Sequence, residues 1–158
     1  MSLDPREFRN ALGRFATGVC VITADDNGKP FGMTVNSFAS VSLDPALVLW
    51  SIQKDSDCFE TFEKSDNFAV NILSEDQQHI SNQYAKKGAH DLVDGSYRQG
   101  RSGTVVLKEA MCSFECTVEA RHEGGDHIII VGRVHEMSSH PAERSPLVFF
   151  NGKYRELK

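Results

Sequence analysis

The sequence predicts a mainly β protein, an antiparallel barrel with helical covers. Asn27-Gly28 and Asn151-Gly152 each sit between apolar runs, the strongest short-range hairpin signal. The turn-forming run Glu123-Gly124-Gly125-Asp126 separates two long strand-like stretches. Helical patterns are few, short and marked by capping residues.

The first of these helices starts at Pro5, with Asp4 as cap and Glu7 completing a capping-box spacing. Phe8, Leu12 and Phe15 form one apolar stripe, which predicts docking, and Gly18 is the expected stop. GVCVIT at 18–23 reads as a strand that turns at Asn27-Gly28 and returns from about Phe31.

Between Gly32 and Asp44 no charge interrupts the chain, and Thr34, Asn36, Ser37, Ser40 and Ser42 are interleaved with Val35, Phe38, Val41 and Leu43. Neutral donors and acceptors beside apolar groups suit a pocket for a flat, polar-edged ligand. They equally suit a strand crossing that satisfies itself through local side-chain bonds. A turn at Asp44-Pro45 leads into a buried strand at 47–52. Ser56 or Asp57 is the expected cap of a short helix carrying Phe59 and Phe62 inward, and FAVNIL at 68–73 resumes a strand.

Ser74 and Gln77 repeat the capping-box spacing and open a helix to about Lys86. Residues 90–103 have no period and read as a surface loop able to carry substrate contacts. From Met111 to His122 the chain alternates: Cys112, Phe114, Cys116, Val118 and Ala120 on one side, Ser113, Glu115, Thr117, Glu119 and Arg121 on the other. HIIIVGRVHEM is its return partner, and LVFF and KYREL bracket the last hairpin. No repeat or linker divides residues 1–158, so one domain is expected.

A net charge of −5 with no basic stripe argues against nucleic acid. The longest apolar runs are IIIV and LVLW, far below the roughly 20 residues of a membrane-spanning helix. An acidic Asp4 and no apolar core follow the first Met, so the start does not read as a secretory signal and the cytoplasm is the expected location. Four cysteines in strand-like contexts do not suggest a disulfide framework. With no CxxC or HExxH spacing, no metal site is expected. Walker, GxGxxG and GxSxG motifs are absent as well.

Taken in order, FRNALGRFATGVCVIT, GMTVNSFASVSLDPALVLWSI, FAVNIL, GGDHIIIVGRV and PLVFFNGKYREL resemble the flavin reductase-like family, the FMN-binding split barrels that include reductase components of two-component flavin monooxygenases. The resemblance spans nearly the whole chain. It implies a homodimeric split β-barrel that binds FMN or FAD and takes hydride from NADH or NADPH, possessing a separate monooxygenase as partner in many cases. Isoalloxazine has an apolar end and a polar pyrimidine edge, which the run Met33, Thr34, Val35, Asn36, Ser37 can match. By resemblance these residues contact the flavin, with Ser51, Ile52 and Gln53 along its other side.

The resemblance assigns the flavin phosphate to Lys54, Ser56 and the helix start near Asp57, and Asp57 is expected to face solvent. Cys58 stands where the family often has a hydroxyl residue; a thiol is a weaker donor, which leaves its backbone N–H. Gln83 and Tyr84 fall where the family places an aromatic near the flavin. Gly125, Asp126 and His127 are implied beside the nicotinamide, with His127 the catalytic candidate as orienting group or hydrogen-bond donor. Lys153 and Tyr154 are candidates to close over the site. Ala46 replaces a proline often found after Asp-Pro. Hydride transfer needs no nucleophile, so the missing triad is expected. The alternative is a non-catalytic split barrel that holds flavin or another planar cofactor such as haem, as carrier, sensor or electron-transfer module.

Overall fold

The computed structural model describes residues 2–157. Helix α1 (Pro5–Leu12) begins at Asp4, whose carboxylate accepts the N–H of Arg6 at 2.8 Å and of Glu7 at 3.2 Å. It ends at Gly13, five residues before the expected stop at Gly18, because the chain turns through 3₁₀-type bonds from Arg14 and Phe15 back to Ala11 and Leu12. Its stripe is not docked: Phe8, Leu12 and Phe15 are 50%, 58% and 78% exposed.

A short strand β1 (Thr17–Gly18) leads into β2 (Cys20–Asp26) and β3 (Lys29–Val35), joined at Asn27-Gly28 with φ of 54° and 88°, the left-handed pair that an Asn-Gly hairpin turn requires. β4 (Ala39–Leu43) and β5 (Ala46–Gln53) turn at Asp44-Pro45. Helix α2 (Phe59–Lys64) follows, with Cys58 rather than Ser56 or Asp57 at the capping position and no side-chain cap. Next come β6 (Asn67–Ile72), a 3₁₀ turn at Glu75–Gln77 and helix α3 (Gln78–Ala85). There the capping pair forms, Gln77 Oε1 accepting the Ser74 N–H at 3.0 Å.

The expected loop at 90–103 is partly ordered, since β7 (Tyr97–Gln99) pairs with β8 (Val105–Leu107). Its aperiodic appearance reflects a strand of only three residues. The long hairpin β9 (Cys112–Gly124) and β10 (His127–Ser139) and the closing hairpin β11 (Val148–Phe150) and β12 (Lys153–Arg155) match the turn signals.

Seven strands form one antiparallel sheet in the order β3-β2-β6-β9-β10-β5-β4. Consecutive strands β3 and β4 are thus its opposite edges, joined only through residues 36–38. Four Cα–Cα steps reach at most about 15 Å, so the sheet must curl until its edges approach each other. Its concave core holds Ile22, Phe62, Phe68, Ile130 and Trp50, whose ring meets Phe62 edge-on at 5.1 Å and Phe68 at 5.8 Å. Each such side chain contributes about 1.5–3 kcal/mol by leaving water.

β2 is buried on both faces. Cys20, Ile22 and Ala24 enter this core, while Val19 and Val21 enter a second one with Leu73, Tyr84, Leu92 and Leu147. Two-sided burial also explains why Ser113 and Glu115, on the face of β9 opposite its cysteines, are 3% and 4% exposed. Ser113 donates to Asn71 Oδ1 at 2.8 Å, and Glu115 accepts from the Ser102 N–H at 3.0 Å. Ser113 and Glu115 can be buried because each has a partner.

Candidate flavin site

The outer edge of β3 begins the site. Gly32 donates its N–H outward to the His90 carbonyl at 2.8 Å, so the period of two turns the Thr34 backbone to the same edge, beyond the end of that pairing. Side chains alternate accordingly: Met33 and Val35 pack on the concave core, whereas Thr34 Oγ1 donates to the Ser81 carbonyl of α3 at 2.7 Å. Asn36 is exposed. Thr34, Val35, Asn36 and Tyr154, all candidates from sequence, line one cavity of about 190 Å³ with Val19, Ser81 and Phe149. The Tyr154 hydroxyl lies 2.6 Å from Ser81 Oγ and donates to Asn82 Oδ1 at 3.0 Å, tying the last hairpin to α3.

Ser37 and Ser51 are brought together directly, through a hydroxyl that bonds the Ser51 backbone. Ile52 belongs to the core at 1% exposure, and Gln53 is exposed opposite His127 in the β5–β10 ladder.

A second group surrounds the turn after β5. The Lys54 N–H donates to the Asp126 carbonyl at 2.9 Å, which fastens this turn to the tip of the β9–β10 hairpin. Gly125, with φ of 74°, makes that tip possible. His127 Nδ1 stands 2.7 Å from Asp126 Oδ1, and this bond with the His127 charge holds the Asp126 carboxyl below its ordinary value. The Lys54 ammonium pairs with Glu123 at 2.6 Å.

Ser56 Oγ donates to Met33 Sδ at 3.7 Å and accepts the Cys58 N–H at 3.1 Å. The Cys58 backbone donor that the sequence reserved for an anion is therefore engaged within the turn. Burial pushes the Cys58 thiol up to about 12, so its side chain stays protonated.

Asp57 departs from expectation. It does not simply face solvent: Oδ2 accepts the Gly88 N–H at 2.6 Å, and Oδ1 stands 3.1 Å from His90 Nε2. Burial opposes its ionisation but is outweighed by the Gly88 bond and the His90 contacts, which hold its pKa below the ordinary value. Sequence reasoning missed His90, Ser81 and Asn82. Only their polarity marked them, and their partners come from other segments.

Gln83 and Tyr84 are not drawn into either group. They open on a different cavity, of about 360 Å³, with Ile80, Val93 and Leu107. Tyr84 is 2% exposed and its hydroxyl accepts the Val93 N–H at 3.0 Å, which makes it a packing residue of the second core.

Comparison with known proteins gives this geometry its context. The chain is 45% identical over 152 residues to "FMN reductase (NADH) SmoA" of Agrobacterium fabrum, covering 96% of this chain and 85% of that protein. It is 37% identical over 157 residues to the "Flavin-dependent monooxygenase, reductase subunit HsaB" of Rhodococcus jostii, covering 99% and 80%. A Rhizobium meliloti relative is 46% identical over 132 residues, but this chain spans only 42% of its length. Among solved structures, "Flavin reductase PheA2 in native state" superposes with a TM-score of 0.89 at 42% identity, covering 99% of both chains. Residues 12–158 match the model of the Flavin reductase like domain. With near-complete coverage by both sequence and fold, the chain belongs to the flavin reductase-like family.

Proposed function

We propose that this chain is a single-domain NADH-dependent flavin reductase that supplies reduced flavin, FMN or FAD, to a separate monooxygenase. The observation that carries the reading is its near-full-length identity to a protein named FMN reductase (NADH). The name of the Rhodococcus relative supports the monooxygenase partner.

The residues present fit a flavin. The outer edge of β3 offers main-chain donors and acceptors at Thr34, flanked by the Asn36 amide and the apolar Val35 and Phe149. Asn36 also lines a neighbouring cleft of about 500 Å³ with Thr17, Leu12, Phe15 and Phe149, which sets a polar amide beside apolar walls. When bound, flavin supplies the acceptor of a hydride from nicotinamide. The protein's part is orientation and exclusion of water. We assign Thr34, Asn36 and Ser37 to the ring, Lys54 and Ser56 to the phosphate end, and His127, steadied by Asp126, to orienting the nicotinamide.

The stripe of Phe8, Leu12 and Phe15, of which Leu12 and Phe15 border this cleft, is uncovered, and a second copy is its proposed cover. A homodimer would then complete the cleft, and the curled sheet with its gap between β3 and β4 is read as a split barrel. No described helix is long and apolar enough to cross a membrane, and nucleotide substrates accord with a cytoplasmic setting.

Steady-state oxidation of NADH and NADPH with FMN and with FAD tests the assignment. Turnover with NADH is the expected result. Tight flavin binding without nicotinamide oxidation would instead establish a carrier. His127→Ala should cut kcat/KM about 10-fold, the worth of one oriented hydrogen bond, while leaving flavin affinity unchanged.

A further inference from the structure

Three side chains from two distant segments converge beneath the turn after β5. Asp57 Oδ1, Cys58 Sγ and His90 Nε2 all lie within 4.8 Å of one another. Oδ1 stands 3.1 Å from Nε2 and 3.6 Å from Sγ. Cys58 is fully buried and His90 is 6% exposed.

The remaining polar atoms of the set are held from outside. His90 Nδ1 lies 2.9 Å from the Gly32 carbonyl, and Asp57 Oδ2 accepts the Gly88 N–H at 2.6 Å. A carbonyl only accepts, so Nδ1 carries the hydrogen. In the neutral ring Nε2 then turns a lone pair toward a carboxylate. An imidazole nitrogen, a carboxylate oxygen and a sulfur within 4.8 Å of one another, the ring and the carboxylate each held by a backbone partner, match the make-up of a metal centre with its outer shell.

We propose that Asp57, Cys58 and His90 bind a divalent cation of the zinc class, with solvent as the fourth ligand. Tetrahedral ligands at about 2.0–2.3 Å from such an ion stand about 3.3–3.7 Å from each other, close to the two separations observed. Sulfur and imidazole select zinc-type ions over magnesium or calcium. One carboxylate and one thiolate neutralise the dication, so the cluster carries no net charge, with Cys58 and His90 buried and Asp57 toward solvent. Binding forms a metal–sulfur bond and releases the Cys58 thiol proton to water, with no electron transferred. The ion ties the His90 segment, and through Gly32 the edge of β3, to the Ser56–Cys58 turn. The site is independent of the flavin reading, since none of its ligand atoms is assigned to the nucleotide.

Cobalt titration of the full chain, freed of metal with a chelator, tests this, read as difference spectra against the protein without cobalt. A thiolate-to-cobalt band in the near ultraviolet should saturate at a single equivalent and be displaced by zinc. Cys58→Ser should abolish the band, and His90→Ala should weaken affinity by more than the roughly 10–100-fold typical of outer-shell changes. Cys112→Ser, which removes a thiol on β9, should leave it intact. Absence of the band in the wild-type protein overturns the proposal whether or not the variants fold, and leaves a pair held by protons alone. A band that survives in folded Cys58→Ser, checked by circular dichroism, overturns it equally.

Discussion

The Ser37 hydroxyl stands in for a backbone partner of Ser51, accepting its N–H at 3.0 Å and donating to its carbonyl at 3.1 Å. The β4–β5 ladder reaches only as far as Leu49 opposite Ala39, and one side chain extends it by a further rung. Ser37→Ala should cost about 1–2 kcal/mol, mostly from the Ser51 groups left without a partner. Urea unfolding measures that loss. If Ser37 also positions the ring, flavin titration by fluorescence should show weaker binding in the folded variant.

Gly132 marks where β10 crosses the concave core. A Cβ there would lie 2.5 Å from Phe68 Cζ and 3.1 Å from the Cys116 Cβ. Phe68 cannot retreat freely because Trp50 packs against it at 5.8 Å. Gly132→Ala should destabilise the fold by about 1–3 kcal/mol through overpacking. Thermal unfolding should report it as a lower midpoint, with little change in flavin binding below that temperature.

The proposed dimer predicts a paired change of assembly and activity. Replacing Leu12 and Phe15 together by Asp should yield a folded monomer in sedimentation experiments, because neither side chain supports the core of its own chain. Flavin reduction should fall with it, since both residues line the Asn36 cleft. An unchanged dimer would remove α1 from the interface.

Acid should weaken one corner of the protein in a predictable direction. Asp76 is held below its ordinary value of 3.8 by the Ser74 hydroxyl first and then by Arg144, which bonds it at 3.2 Å. A depressed carboxylate stabilises the fold above its unfolded value, and that contribution is lost as pH falls through the lower folded value. Arg144→Ala should start less stable at neutral pH and lose less between about pH 4 and pH 2. Urea midpoints across that range provide the comparison, and added salt should shrink the difference because Asp76 is largely exposed.

Local signals were the legible ones. Asn27-Gly28, Asn151-Gly152, Asp4 and the Ser74-Gln77 pair announce turns and caps because their chemistry acts within a few residues. What could not be read was choice of partner. Nothing near Ser113 or Glu115 reveals their partners, Asn71 on the neighbouring strand and Ser102 in the β7–β8 turn. Asp57 likewise meets a His 33 positions away. The segment from Thr34 to Ser51 shows both of its readings at once: Thr34 and Ser37 spend their hydroxyls internally, yet the backbone edge beside them stays open.

The link at residues 36–38 sets where this chain can tolerate a change of length. Because its flanking strands are opposite edges of one curled sheet, an added residue there would shift one edge against the other and carry Asn36 and Ser37 off their marks. The 101–103 tip is bound in a different way, because its Ser102 N–H partners the buried Glu115 carboxylate, and an inserted residue there would leave that charge without its donor.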